Sequence, residues 1–303
     1  NNAYTNVMAV WVMERALEIR GLLPPARVAE VAERIGLEPD EVGRWRDITR
    51  KMTVPFHGDG IISQFEGYEN LEEFDWEGAR KKHGDIKRLD RILKAEGDSP
   101  DRYKLSKQAD VLMLFYLLPP KDLIRVFEKL GYPFTLDTVR KTVDYYLPRT
   151  SHGSTLSKVV HASVIDRVDR QAAWVLFQEA LQADFGDVQG GTTAEGIHLG
   201  AMGGTLDIVL RHYAGIDTTD DVIAFYPRLP EALESLRLRV RHRGRWYGLQ
   251  VTRDRFVLEI EPGPPGPVHV RVFDKEPRLE PGDRYECELP GNPPEWAPTS
   301  SSS

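Results

Sequence analysis

The chain has one cysteine, Cys287, which excludes an internal disulfide and a cysteine-based metal cluster and fits a reducing, cytoplasmic setting. It also lacks a long apolar run. The longest, Val111 to Leu118, falls well short of the roughly 20 residues needed to cross a bilayer, and the N-terminus has no signal-peptide order, so no membrane partner is expected. There is no excess of positive charge: 40 Lys and Arg face 47 Asp and Glu, giving −7. No broad field gathers nucleic acid, and a small anion would have to be held locally. No repeated sequence period is visible. An initiator methionine is also missing, and Asn1-Asn2-Ala3-Tyr4-Thr5-Asn6 runs straight into an apolar helical pattern, which reads as the start of a piece of something longer.

What is present is core material: 41% of the 303 residues are hydrophobic. From Tyr4 to Arg20 the apolar residues cover more than one face, as a helix enclosed by others requires. A more amphipathic helix opens at Pro24-Pro25 and ends at Gly36, and another follows from about Glu38. Further helices are expected over 84–96, 105–118, 121–130, 136–146, a segment ending near Ile165, and 172–183. Between Met52 and Trp76 the periodicity fails, and the aromatics Phe56, Phe65 and Tyr68 lie beside Gln64 and Glu66. Such a loop either contacts a sugar through apolar ring faces and polar edges or plugs the core.

Two stretches put small residues and hydroxyls at the mouth of an expected helix. One is Ser151-His152-Gly153-Ser154-Thr155. The other is Gly190-Gly191-Thr192-Thr193-Ala194-Glu195-Gly196-Ile197-His198, leading a helix expected to run from Thr193 to Tyr213. Free N–H groups and the positive end of the helix dipole suit an anion at such a mouth, while plain N-capping is the alternative. Lys107 and Gln108, in the expected first turn of a strongly buried helix, add a hint of an anionic or hydroxyl-rich partner.

After Gly215 the period shortens to two. Leu236, Leu238 and Val240 alternate with Arg237, Arg239 and Arg241, and further strands are expected over 246–252, 256–261, 268–273 and 285–289. The arginines read as one solvated face with glutamates nearby. The fold expected is mainly α: part of an α/α toroid over 1–218, a small antiparallel β-sandwich over 219–290, and a disordered Pro- and Ser-rich tail over 291–303.

Several segments resemble glycoside hydrolase family 65, the inverting disaccharide phosphorylases. They are Asn2-Ala3-Tyr4-Thr5-Asn6, Asp59-Gly60-Ile61-Ile62 with Gln64-Phe65-Glu66-Gly67-Tyr68, Lys107-Gln108-Ala109-Asp110, Ser151-His152-Gly153-Ser154, and Gly191 through His198. The resemblance implies that the toroid is an (α/α)6 toroid barrel, with sugar contacts at Lys107, Gln108, Glu66 and His152, and phosphate contacts at Ser154, Thr155, His198 and Thr193. It places the general-acid glutamate just upstream of Asn2, so no catalytic acid is expected in this chain. The implied reaction is phosphorolysis of an α-linked glucose disaccharide to β-glucose 1-phosphate and a free sugar. Inorganic phosphate is the co-substrate, no metal or organic cofactor takes part, and a homodimer is plausible. Two alternatives stay open: an inverting hydrolase using Glu195 as base, and a non-catalytic carbohydrate-binding piece. Glu195 itself is expected to orient His198 or to serve structure, since a carboxylate base repels phosphate.

Overall fold

The computed structural model describes residues 1–166, 168–186, 194, 196–219 and 222–290. Eleven α-helices and eight strands form there, in two compact units that divide after Ser157. The tail read as disordered, 291–303, lies outside the described residues.

In the first unit, α1 (Ala3–Leu22) starts where the Asn2 side chain accepts the Thr5 N–H at 2.9 Å. It buries Ala3, Val7, Val10 and Glu14. Glu14 is neutralised by the Lys129 ammonium at 2.7 Å. In α2 (Pro25–Ile35) no residue is buried, despite its marked apolar stripe, and Gly36 ends it in the left-handed conformation at φ 65°. Of the two, α1 is the more buried, but it is not enclosed as the sequence suggested: its buried residues form a single stripe, and Val12 and Ile19 stand exposed. Next come α3 (Glu41–Lys51), α4 (Trp76–His83) and α5 (Leu89–Ala95). The helix expected over 84–96 is really the second of two, because Gly84 stops α4 at φ 71°. An apolar α6 (Asp110–Leu117) buries Val111, Leu112, Leu114, Phe115 and Tyr116. Pro119 and Pro120 then launch α7 (Pro120–Leu130), and Thr135 and Thr138 form a reciprocal cap for α8 (Leu136–Tyr146).

Helix α9 (Thr155–Ile165) carries the chain across the division. The second unit continues with α10 (Arg170–Leu181) and α11 (Leu199–Ile208), whose last turn runs on as a π-helical turn, Val209–Tyr213. Two four-stranded sheets follow. One is ordered β1 (Ile216–Asp217), β2 (Ile223–Phe225), β6 (Val268–Val272), β7 (Arg278–Leu279). The other is ordered β3 (Ser235–His242), β4 (Arg245–Thr252), β5 (Arg255–Ile260), β8 (Arg284–Glu288). All pairings are antiparallel except β2 with β6, which run parallel. Phe225, Val270 and Val272 of the first sheet share one apolar core with Leu249, Phe256 and Leu258 of the second. The β3 arginines are exposed, as the two-residue alternation requires, and Arg239 binds Glu261 through two nitrogens at 2.5 and 2.6 Å.

Gly215 joins helix to sheet at φ 66°. A Cβ there would stand 2.1 Å from the carbonyl carbon and oxygen of Tyr226, whose N–H donates back to Gly215 O at 2.8 Å. The obstacle is backbone, so neither side can yield. Gly215→Ala is expected to cost about 3 kcal/mol or more in denaturant unfolding.

The same unit contains a buried strut. Ser163 Oγ lies 2.7 Å from His212 Nε2, and His212 Nδ1 lies 3.4 Å from Asp166 Oδ2, with Arg170 on the other carboxylate oxygen at 3.6 Å. Arg170 donates in turn to the carbonyls of Arg228 and Leu229. The residue types match a hydrolase's nucleophile, base and acid, but Ser163 and Asp166 are 3% and 8% exposed, so no substrate reaches them and the network is structural. Burial alone would raise the Asp166 carboxyl, but the His212 hydrogen bond and the nearby arginines outweigh it and hold the group below its ordinary value. Its contribution to stability is therefore present above about pH 4 and lost as pH falls through the lower native value. Denaturant midpoints should drop across that acid range in the native protein and much less steeply in Asp166→Asn.

Candidate active site

Four of the sequence stretches that carry chemistry meet in the first unit. Asn1 and Ala3 pair with the second stretch through backbone bonds: Glu66 N–H donates to Asn1 O at 2.8 Å and Ala3 N–H to Gln64 O at 3.1 Å. The side-chain oxygen of Gln64 accepts from Ser106 Oγ at 3.1 Å, and its N–H donates to the Tyr146 hydroxyl at 2.7 Å. Ser106 is clamped against the fourth stretch. Its N–H donates to Arg149 O at 2.8 Å, and its carbonyl accepts the Ser151 N–H at 2.9 Å.

That clamp explains a difference from the sequence reading. The helix expected from Leu105 begins only at Asp110, because Ser106 spends its backbone groups on the neighbouring strand and leaves Lys107 and Gln108 in a bend ahead of α6. Lys107 is exposed and Gln108 half-buried. A Cβ on Gly153 would lie 2.9 Å from Lys107 Cγ and 2.6 Å from the Lys87 carbonyl oxygen, so the missing side chain at 153 is what lets the lysine stem lie across this strand. His152 adopts φ 52°, rare for a residue with a side chain, and its Nδ1 lies 3.0 Å from Ser157 Oγ. Glu66 is exposed and accepts from Asn1 Nδ2 at 2.8 Å. Glu66, Lys107, Gln108 and His152 thus hang from one hydrogen-bonded framework whose buried members include Ser106, Tyr146 and Thr150, the first and last of which lie outside any helix. Of the loop aromatics, Tyr68 is a core residue at 1% exposed, Phe56 is half-buried and stacks on Tyr132 at 5.4 Å, and Phe65 stays 36% exposed.

Ser154 and Thr155 sit where the sequence put them, at the start of α9. The Ser154 carbonyl accepts the Ser157 N–H at 3.1 Å, and both residues are half-buried. In the second unit His198 does not ride within a helix. It is the residue before α11, which begins at Leu199 rather than near Thr193. Its orienting partner is Asp184, which the sequence reading missed. Asp184 Oδ2 accepts the His198 backbone N–H at 3.0 Å, and Oδ1 lies 2.6 Å from Nδ1. The hydrogen bond from the ring holds the Asp184 carboxyl below the usual carboxylate range, so Asp184 is ionised and acceptor-only, and Nδ1 must be the donor. Asp184 lies three residues beyond the end of α10, where no periodic pattern marks it. Gly190–Thr193, including the expected phosphate contact Thr193, and Glu195, the base of the hydrolase alternative, lie outside the described residues.

Residues 1–207 match the family model for the glycosyl hydrolase family 65 central catalytic domain, and residues 216–279 that for the family's C-terminal domain. An uncharacterized glycosyl hydrolase of Mycobacterium tuberculosis is 48% identical over 286 residues, covering 94% of this chain and 22% of the relative. A trehalose 6-phosphate phosphorylase of Lactococcus lactis is 32% identical over 292 residues, covering 95% of this chain and 36% of the relative. The chain therefore spans between about a fifth and somewhat over a third of the length of these relatives. A solved structure provisionally named a kojibiose phosphorylase, from the human microbiome, has the same fold: TM-score 0.72 at 20% identity, over 95% of this chain and 37% of that one. With its catalytic-domain match covering most of the sequence, the chain belongs to glycosyl hydrolase family 65.

Proposed function

We propose that the chain is the C-terminal part of a phosphorylase, here called the parent enzyme, that splits an α-linked glucose disaccharide with inorganic phosphate and inverts the anomeric centre. The relatives named as phosphorylases of trehalose 6-phosphate and kojibiose support disaccharide phosphorolysis as the reaction class. The observation that carries the reading is the Ser106 clamp, which joins the Gln64–Glu66, Lys107–Gln108 and Ser151–His152 stretches into one framework. In this scheme residues 1–218 supply part of the barrel and 219–290 its β-domain. Glu66, Lys107, Gln108 and His152 bind sugar, and Ser154, Thr155, His198 and Thr193 bind phosphate.

An acid upstream of this chain protonates the glycosidic oxygen, while phosphate attacks the anomeric carbon from the opposite face. A dianionic nucleophile needs neutral or cationic donors rather than a second carboxylate, and hydroxyls, helix-end N–H groups and a histidine meet that need. Asp184 accepts from Nδ1 of His198 and so sets the ring's orientation, leaving Nε2 to meet phosphate as an N–H donor in the doubly protonated ring. The products are β-glucose 1-phosphate and a free sugar, with phosphate as co-substrate and no metal or organic cofactor. The test is to incubate the parent enzyme with α-linked glucobioses and their phosphorylated forms, with and without phosphate, and to follow the anomeric proton by NMR. β-Glucose 1-phosphate should appear only with phosphate; glucose release indifferent to phosphate would mean hydrolysis.

A further inference from the structure

A cavity of about 340 Å³ opens in the first unit between the end of α4, the turn after it, and the Thr150–His152 segment. Its lining includes Trp76 and Arg80, one helical turn apart, together with Asp85, Lys87, Ser151 and His152. The Arg80 guanidinium lies 5.9 Å from the Trp76 ring centroid, and no carboxylate among the described residues lies within ion-pair distance of it. The other basic groups at the end of α4 are engaged: Lys81 with Glu77, and Lys82 and His83 with Glu96. Asp85, the acid in the lining, is claimed by Lys87, whose ammonium lies 3.5 Å away and whose N–H donates to Asp85 Oδ1 at 2.9 Å. Arg80 and Lys87 against Asp85 leave one net positive charge (+2 − 1) facing the cavity. The negative end of the α4 dipole, equivalent to about half a charge and capped by Gly84 N–H on Arg80 O, does not cancel it.

We propose that this cavity binds the phosphoryl group of a phosphorylated monosaccharide unit, with Arg80 as its principal cation, Lys87 and the Ser151 hydroxyl as further donors, and Trp76 against the sugar ring. A volume near 340 Å³ falls at the lower end of the roughly 300–1,000 Å³ of small-molecule pockets, which suits a sugar phosphate better than a bare inorganic ion. Planar, unpaired guanidinium is the side chain best matched to phosphoryl oxygens. The inference rests on the phosphorylase reading for the sugar and adds to it that the disaccharide, or the sugar released from it, carries a phosphate.

The test is calorimetric titration of the chain with D-glucose 6-phosphate, D-glucose and inorganic phosphate, repeated with Arg80→Gln and Lys87→Gln. Arg80 lies exposed on the helix surface, so Arg80→Gln should melt with the native protein, and a melt on each variant separates folding from binding. Glucose 6-phosphate should bind more tightly than either other ligand, and Arg80→Gln should weaken it by about tenfold or more while leaving glucose unchanged. Equal binding of glucose and glucose 6-phosphate, no binding of either, competition by inorganic phosphate as strong as by glucose 6-phosphate, or a preference that survives both substitutions would overturn the proposal. These outcomes are independent of whether the parent enzyme makes β-glucose 1-phosphate, so either reading can fail alone.

Discussion

His198→Ala in the parent enzyme is expected to lower kcat/KM for phosphate by about 100- to 1,000-fold, the loss typical of one preorganised donor aimed at developing charge. The disaccharide KM should change little. Asp184→Asn is expected to cost about 10- to 100-fold, because the carboxylate supplies two acceptor oxygens to His198, one for the ring and one for the backbone N–H, and an amide supplies one. Asp184 is a positioning residue. Steady-state kinetics should show the phosphate KM rising in both variants with thermal midpoints near that of the native enzyme, a combination that loss of structure does not produce. Unchanged phosphate KM in His198→Ala would remove this residue from the phosphate site.

Gly153→Ala should be nearly as damaging, for a steric reason. The added methyl meets the Lys87 carbonyl oxygen at 2.6 Å and Lys107 Cγ at 2.9 Å. The lysine can swing aside, but the backbone carbonyl cannot, so the strand bearing Ser151 and His152 has to shift. Misplacement on the scale of an ångström costs about 100-fold in a positioned site, while the packing penalty itself is about 1–3 kcal/mol. The expected result is an enzyme that still folds but has a disaccharide kcat/KM about two orders of magnitude down. Lys107→Ala in the Gly153→Ala background should restore little, because the carbonyl contact remains.

The helices were legible from local rules. Pro24-Pro25 and Pro119-Pro120 announce α2 and α7, Gly36 and Gly131 close them, and the two-residue alternation of β3 fixes which side its arginines take. The site was legible in its residue types but not in its joints. Nothing in the apolar pattern around Leu105 reveals that Ser106 will bond to Arg149 and Ser151, since that contact depends on segments more than forty residues away. The same holds for Asp184 and His198, which are fourteen residues apart, too far for neighbours on one helical face. Ser106 and His198, each placed in a helix by the sequence and ahead of one in the structure, have bonding partners outside that helix.

The π-helical turn at Val209–Tyr213 closes a five-residue backbone ring, with the Ala214 N–H donating to Val209 O at 2.9 Å. Such a turn is geometrically an α-helix with one residue too many. Removing one residue would restore regular winding and rotate everything beyond it by about 100°, carrying His212 away from Ser163 and Asp166. Counting residues through this helix is therefore out of phase by one. An alignment that ignores the extra residue would set the wrong side chain opposite the aspartate, and a protein built from such an alignment would lose the buried strut before any residue near a sugar had been touched.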